Sequence, residues 1–452
     1  MSLTKVSYSM IQGELANILD YGADSTGATS SSAALDAAIA SGKSVYVPVG
    51  TYKLTAMSTL TSGVCIYGEG PLRSRFICDV ASNTGVFLRM AGGNNIVEKV
   101  AFEGNSTANG IAIRLASSVD EYTFTGWMTL RDVHITGIKV GLDMNNVFSV
   151  LVDNCRIYSN YRGVRIVPSY SVSADSGYFT TVTLNKCYIN QNADYGLAAS
   201  PTIVSHNLVL RDCVIEDNTG TVSAHQLNVI KVDPFVVENC YFELKPAIPA
   251  LLLDQCVTTI HGIYLNGTGG INLGSSSNTL YVIDAAIGAS TDAIYANGTS
   301  LQQIQVVNSS FGTCTLNALR LLFQNSTLSG TYYRNFCSNY DLTLSGSLVN
   351  TTRVSDINAY TKTISQTITA NTSARLITDQ PVSNLFSTDW AVGLAQIENS
   401  NPLGLILTVG PSTTGDRNYF CVNATNTTSS NIVLTNADLT IVFINGGGAT
   451  AI

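Results

Sequence analysis

Four segments that echo one another around a cysteine constrain this chain more than any other feature. FSVLVDNCRIYSN (148–160), TTVTLNKCYINQN (180–192), HNLVLRDCVIEDN (206–218) and DPFVVENCYFELK (233–245) align on Cys155, Cys187, Cys213 and Cys240. With the cysteine as zero, position −3 holds Val152, Leu184, Leu210 and Val237, and position −5 holds Val150, Val182, Leu208 and Phe235. Position +2 holds Ile157, Ile189, Ile215 and Phe242. Apolar residues at alternate positions mark β-strands with one buried face. The polar pair before each cysteine (Asp153–Asn154, Asn185–Lys186, Arg211–Asp212, Glu238–Asn239) reads as a bend between two strands.

The frame continues with other residues at zero: Val100 and Val133 upstream, then His261, Ala285 and Ser309 downstream. Their −3 residues are Val97, Leu130, Thr258, Val282 and Val306. Successive zero positions lie 33, 22, 32, 26, 27, 21, 24 and 24 residues apart. RGVRIV, YGLAAS, PALLLD and NALRLL supply a further short strand per unit. A variable coil built of several short strands predicts a parallel β-helix, an all-β solenoid whose loops bulge at one corner while the strands keep register. Roughly nine coils fit between residues 90 and 325. An all-β sandwich with accidental similarity is the competing architecture, and three agreeing columns disfavour it.

Coils of such a solenoid stack about 4.8 Å apart, so equivalent residues form ladders through the core. Cys155, Cys187, Cys213 and Cys240 are then a buried column of small apolar side chains. A catalytic thiolate would need an electropositive, partly exposed setting with a histidine partner, which an inward ladder does not offer. None of the ten cysteines forms a C-x-x-C pair or a Cys/His cluster with zinc spacing, so no metal site is expected.

Charged residues make up only 12% of the 452, and hydroxyl and amide side chains dominate the polar surface. Twenty-three basic against 31 acidic residues give a net charge of −8, which argues against nucleic acid, whose binders concentrate Lys and Arg. There is neither a charged-then-apolar leader nor an 18-residue apolar run, so a soluble chain without membrane insertion is expected.

An open solenoid needs capping, because its first coil is otherwise a sheet edge. SSSAALDAAIA (30–40) predicts a cap helix with an N-capping serine and Ala34, Leu35, Ala38 and Ile39 on one side, ended by Gly42. After about residue 345 alternating strands such as LGLILTVG and NIVLTNADLTIVFINGG predict a C-terminal β-sandwich. The expected boundaries are a linker at 1–15, cap and first coils at 16–90, β-helix at 91–345 and sandwich at 346–452.

The stretch NILDYGADSTGATSSSAALDAAIA, with SVYVPVGTYKL and CIYGEG, resembles the pectate-lyase-like family found in bacteriophage tailspikes. The motif match covers about residues 5 to 70, and the solenoid beyond is compatible with it. The resemblance implies a right-handed β-helix, a homotrimer and a place on a phage tail, joined to the baseplate or an adaptor protein. It implies a partner that is a bacterial capsular polysaccharide or O-antigen, which the protein binds and depolymerises. It also implies a terminal domain that locks the trimer or binds carbohydrate. A virion protein made in a reducing cytoplasm would not depend on disulfides.

Positions +1 and +3 alternate with the buried 0 and +2, so they point outward. Position +1 holds His134, Arg156, Tyr188, Val214 and Tyr241; position +3 holds Thr136, Tyr158, Asn190, Glu216, Glu243 and Tyr264. Rings, an arginine, an amide and carboxylates on consecutive coils suit an oligosaccharide groove. Glu216 and Glu243 would be stacked neighbours, the acid and the nucleophile or base of a glycosidase, with Asp217 as a more distant alternative. His134, Arg156, Tyr158, Tyr188, Asn190, Tyr241 and Tyr264 would hold sugar, without a cofactor. Asp233, Glu238, Asp175, Asp194, His206 and His225 are weaker candidates. Endo-glycosidic hydrolysis is the leading expectation. Lyase action on a uronic acid, using Arg156, His134 or a tyrosine, and a spike that binds without cleaving are the alternatives.

Overall fold

The computed structural model describes residues 15–117, 124–166, 179–218, 225–243, 249–267, 269–289, 293–296 and 302–311, and beyond them chiefly strand segments between 314 and 445. Each coil contributes a strand to three parallel ladders. The first face is a fourteen-stranded sheet running from Ala16–Asn17 to Asp341–Ser345. The second face contains Arg156–Tyr158, Tyr188–Asn190, Val214–Glu216, Tyr241–Glu243 and Tyr264–Gly267. The third contains Arg162–Ile166, Tyr195–Ala199, Leu227–Ile230, Leu251–Asp254 and Ile271–Leu273.

The ladder begins well before residue 90, because Val45–Val47 and Ile66–Gly68 already pair in register. These are the first coils expected at 16–90; their cysteines, Cys65 and Cys78, lie off the zero position, so an alignment centred on a cysteine does not reach them. Parallel pairing persists through Val354–Ser355. Arg320–Gln324, which overlaps the expected third strand NALRLL (317–322), instead belongs to the first face, paired with Gln303–Val307.

The core is built from the predicted columns. Val97, Leu130, Val152, Leu184, Leu210 and Val237 have no exposed surface, and neither do Ile157, Ile189, Ile215 and Phe242. Cys155, Cys187, Cys213 and Cys240 are buried free thiols. Each Sγ lies against the carbonyl of the residue two before it, as Cys213 does with Arg211 O at 3.2 Å. Burial pushes the Cys155 thiol up to about 12. Contact with Cys213, then burial, raises Cys187 well above the ordinary thiol value. Cys213 itself touches both neighbouring thiols, which favours its thiolate, and burial opposes this. The apolar column offers that anion no countercharge or water, so the protonated thiol fits the site.

A left-handed residue precedes every zero position. Lys99, Asp132, Asn154, Lys186, Asp212, Asn239, Asp284 and Asn308 have φ of 49–58°, and Gly262 has 64°. Gly262 also locates the one slip in the predicted frame: Ile263, not His261, occupies zero in its coil. His261 pairs with Glu238 and Tyr264 with Tyr241. A two-residue error preserves the in–out alternation, so the pattern could not reveal it.

The bend between the second and third faces is a buried asparagine ladder. Asn160 N–H and Nδ2 both donate to Asn192 Oδ1, at 3.1 and 3.2 Å. Asn192 Nδ2 donates to Asn218 Oδ1 at 2.8 Å, and Asn218 Nδ2 to Gln226 Oε1 at 2.9 Å. Close packing here requires glycine on the adjacent face. A Cβ on Gly163 would meet Gly196 O at 2.4 Å and Asn192 Nδ2 at 3.0 Å.

At the N-terminus, the helix Ser32–Ala40 buries Ala34, Leu35, Ala38 and Ile39. The residue before it, Ser31, makes no side-chain cap; its Oγ accepts instead from Asp24 N–H at 3.0 Å. Asp24 organises that loop, accepting from the Thr26 hydroxyl at 2.6 Å and Thr29 N–H at 2.7 Å. The Thr26 hydroxyl, followed by the backbone donors of Thr29 and Thr26, holds its carboxyl below the usual carboxylate range. Residues 359–445 contain two three-stranded antiparallel sheets. The linker expected at 1–15 falls, up to residue 14, outside the described residues.

Candidate functional site

The outer side of the second face brings the predicted residues together, with two corrections. His134, Arg156, Tyr188, Val214, Tyr241 and Tyr264 are successive neighbours in one column. Thr136, Tyr158, Asn190, Glu216 and Glu243 form the column beside it. Tyr264 thus belongs to the first column rather than the second, following the two-residue slip at Gly262. Its ring stacks on Tyr241, with centroids 5.8 Å apart and planes 5° from parallel. The second correction is Asn190. It is only 3% exposed, and among the described residues its Oδ1 has no hydrogen-bond partner, so it is no open sugar contact. A short amide in register between Tyr158 and Glu216 is flanked by longer side chains.

Glu216 and Glu243 are register partners on adjacent rungs, Glu216 half-buried and Glu243 exposed. A tyrosine hydroxyl orients each carboxylate. Tyr188 Oη donates to Glu216 Oε1, and Tyr241 Oη donates to Glu243 Oε2 at 2.9 Å. The same bonds raise both phenols above their ordinary value, Tyr188 through Glu216 and Tyr241 through Glu243. Both tyrosines therefore remain proton donors at neutral pH. Arg156 lies over the rings of Tyr158 and Tyr188, 4.5 and 5.1 Å from their centroids.

Next to this pair, at the corner with the first face, is an open concavity of about 700 Å³. Its walls include His134, Arg156 and Tyr188, together with Glu69, Lys99, Asp132 and Lys186, none of them a sequence-stated candidate. Burial first, then the Arg156 guanidinium, lowers the His134 imidazole below the usual histidine value. Lys99 and Lys186 escaped notice because they sit in the bend, which the repeat treats as mere punctuation. The signal was available: they are cations where the other bends carry Asn, Asp or Gly.

Other candidates are engaged structurally. Asp217 is a left-handed bend residue whose N–H donates to Glu243 O at 3.3 Å. Asp194 is fully buried, with Arg162 Nε at 2.8 Å. Glu238 pairs with Arg211 at 2.7 Å, and Asp233 O lies 2.8 Å from His206 Nδ1. His225 Nε2 is 3.5 Å from Asn272 Nδ2. Asp175 lies outside the described residues. Among the described residues no group of three or more His, Cys, Asp or Glu could hold a metal ion.

Residues 15–245 match the profile of the family described as rhamnogalacturonase A/epimerase, pectate lyase-like. Among solved structures, the chain is similar to the gp42 tailspike of Acinetobacter phage vb_AbaP_AS12, with a TM-score of 0.59 at 12% identity over 98% of this chain and 84% of that one. It is also similar to the A-module of the Azotobacter vinelandii mannuronan C-5 epimerase AlgE6, with a TM-score of 0.56 at 15% identity over 74% of this chain and 98% of that one. No curated protein matches it in sequence. At such identities the structural likeness establishes the parallel β-helix and nothing finer.

Proposed function

The chain belongs to the rhamnogalacturonase A/epimerase, pectate lyase-like family, and from that premise we propose a phage tailspike that binds and depolymerises a bacterial surface polysaccharide, capsule or O-antigen. The observation that carries this reading is the in-register Glu216–Glu243 pair, each carboxylate hydrogen-bonded by a half-buried tyrosine, with the exposed Tyr264 ring beyond. The likeness to a phage tailspike, which spans nearly the whole chain, supports the virion setting. In that setting the protein is a homotrimer joined to the tail baseplate or an adaptor. The C-terminal sheets form a sandwich that serves trimerisation or carbohydrate binding.

The reaction is endo-glycosidic hydrolysis. Glu216, the less exposed acid, protonates the leaving oxygen, and Glu243 acts as nucleophile or base. A one-rung spacing of about 4.8 Å is close to the roughly 5–5.5 Å of retaining enzymes. Tyr241 and Tyr264 form a flat stacked platform for sugar faces, and Arg156, Tyr158 and Tyr188 continue the groove. β-Elimination on a uronic acid is the second reading, favoured by one observation. His134, its imidazole kept neutral near pH 7, lines the concavity beside Arg156 and could accept a proton there.

The test is incubation with a panel of bacterial capsules and O-antigens, followed by mass spectrometry. Fragments of whole repeat units plus water are expected. Fragments lacking that water and absorbing in the ultraviolet would establish elimination. Intact glycan throughout, with binding retained, would leave a spike that binds only.

A further inference from the structure

One buried amide on the second face is left with an acceptor that nothing fills. At the nearby corner, Asn160, Asn192 and Asn218 each use Oδ1 to accept a backbone N–H from the preceding rung. The donors are Ile138, Asn160 and Asn192, at 3.2, 3.1 and 3.1 Å. Asn190, two residues before Asn192 on the same coil, is 3% exposed, and its Oδ1 accepts no hydrogen bond among the described residues. No other side chain of the second face leaves a buried polar atom unpaired among those residues. An acceptor taken out of water with nothing donating to it costs stability, so its retention calls for a reason.

Register identifies what can donate to it. Asn190 lies between Tyr158 and Glu216 on adjacent rungs, about 4.8 Å along the axis from each. Tyr158 extends the other way, because its phenol acts on the charge of Arg75, three rungs earlier in the neighbouring column. That leaves Glu216, a carboxylate that only accepts when ionised and becomes a donor once it carries its proton. Tyr188 reaches Glu216 diagonally, from opposite Val214, and occupies Oε1. No bond to Oε2 is present among the described residues.

We propose that Asn190 is a positioning residue for the general acid: its Oδ1 accepts a hydrogen bond from the protonated Glu216 carboxyl and holds that proton until the glycosidic oxygen takes it. The role rests on the depolymerase reading. The other groups facing Glu216 are Tyr188, then Tyr241 and Glu243 from the next rung, Asp217 beside it in the chain and Arg156 two rungs back. Asn190 Oδ1 differs from all of them in being neutral and fixed as an acceptor, so it bonds Glu216 only when the carboxyl is protonated. With substrate in place, the glycosidic oxygen replaces Asn190 as acceptor. Glu243 closes on the sugar carbon, the glycosidic C–O bond breaks, and the Glu216 proton leaves on the departing oxygen. The resulting Glu216 carboxylate then faces an oxygen lone pair. That contact favours recovery of a proton from the water that hydrolyses the Glu243 glycosyl ester.

The experiment compares the full chain with Asn190→Leu, which removes the acceptor at similar volume, and Asn190→Asp, which keeps it. One readout needs no substrate: infrared difference spectra against pH follow the carboxylic C=O band that disappears in Glu216→Gln. The other is the pH profile of kcat for fragment release from whichever capsule or O-antigen of the panel is cleaved fastest. In Asn190→Leu the band and the alkaline limb of kcat should both fall away about one pH unit lower, the roughly tenfold effect of one hydrogen bond. KM should hold, because Asn190 is no sugar contact. Asn190→Asp should keep both at or above their native position, since two facing carboxyls share a proton. Asn190→Leu should also melt no lower than the native chain, because an unpaired acceptor has gone. Asn190→Ala makes the same comparison should the leucine fail to fold. An unmoved band in the acceptor-less variant overturns the assignment. So does a band that persists to higher pH, which would mean that the amide donates to the carboxylate. A shifted band in a chain whose native form cleaves no glycan would instead sink the depolymerase reading and leave the Asn190–Glu216 bond standing.

Discussion

The outer sides of the first and second faces use the same coils and the same register, yet treat charge in opposite ways. On the first face the signs answer one another rung by rung. Arg131 Nη1 is 3.7 Å from Glu98 and its Nε 3.4 Å from Asp153, while Arg211 Nε is 2.7 Å from Glu238. Asn185 Nδ2 extends the ladder to Asp153 at 2.8 Å. The second face answers charge only in its early coils, where Arg75 Nε is 2.8 Å from Glu103; further along two glutamates are neighbours, while Arg156 lies above them among aromatic rings and the lysines sit at the corner. Exposed ion pairs contribute little to stability, so the first ladder mainly avoids repulsion between rungs. Segregated charge forgoes that relief, and its field faces solvent where a ligand can meet it. The difference separates a face that maintains register from a face that recognises something.

Substitution at equivalent heights tests this contrast most strongly. Glu216→Gln or Glu243→Gln should cut polysaccharide cleavage by about 10²–10⁴-fold, the usual contribution of an acid–base group. Glu238→Gln on the first face should leave turnover unchanged and alter stability by no more than about 1 kcal/mol. Equal losses on the two faces, measured as initial rates of fragment release, would erase the distinction.

A smaller effect concerns what holds the second face in place. Asn192→Ala removes the acceptor for Asn160 and the donor to Ile157 O and Asn218. Leaving such groups unsatisfied costs about 1–3 kcal/mol each, so a total near 3 kcal/mol is expected in denaturant unfolding. A loss under about 0.5 kcal/mol would mean that the amide ladder is incidental, because it would then behave as an ordinary surface position.

The smallest expected effect is a pH slope. The folded-state imidazole of His134 lies below its ordinary 6.5, so the unfolded chain binds more protons in that window. Stability contributed by neutral His134 is therefore present above about pH 6.5 and declines as pH falls through it toward the lower folded value. His134→Gln should flatten the fall in denaturation midpoint between pH 7.5 and 5.5. An unchanged slope would remove His134 from the set of groups strained by the second face.

Much of the fold is readable from a handful of columns. Val152, Leu184, Leu210 and Val237 announce the period, and the cysteines mark where the chain turns inward. Glu216 and Glu243 become neighbours by alignment alone, and they are neighbours in register. The frame failed where the local signal was symmetric. A slip of two residues around Gly262 left inward and outward parity intact and moved Tyr264 to the wrong column. Asn190 failed for another reason: parity predicts which way a side chain points, not how deeply its neighbours bury it.

The sequence by itself determined the period, the buried columns, the strand faces and the pairing of two remote glutamates. All of these follow from alternation between apolar and polar residues along a repeating coil. Tertiary structure decided which charges are answered and which are not. Whether Lys99, Arg156 and Lys186 meet a carboxylate depends on distances across rungs and around a corner, and no local pattern encodes those. The asparagine ladder is the same case: Asn160, Asn192 and Asn218 look like ordinary turn residues singly, and stacking makes them one buried hydrogen-bonded column.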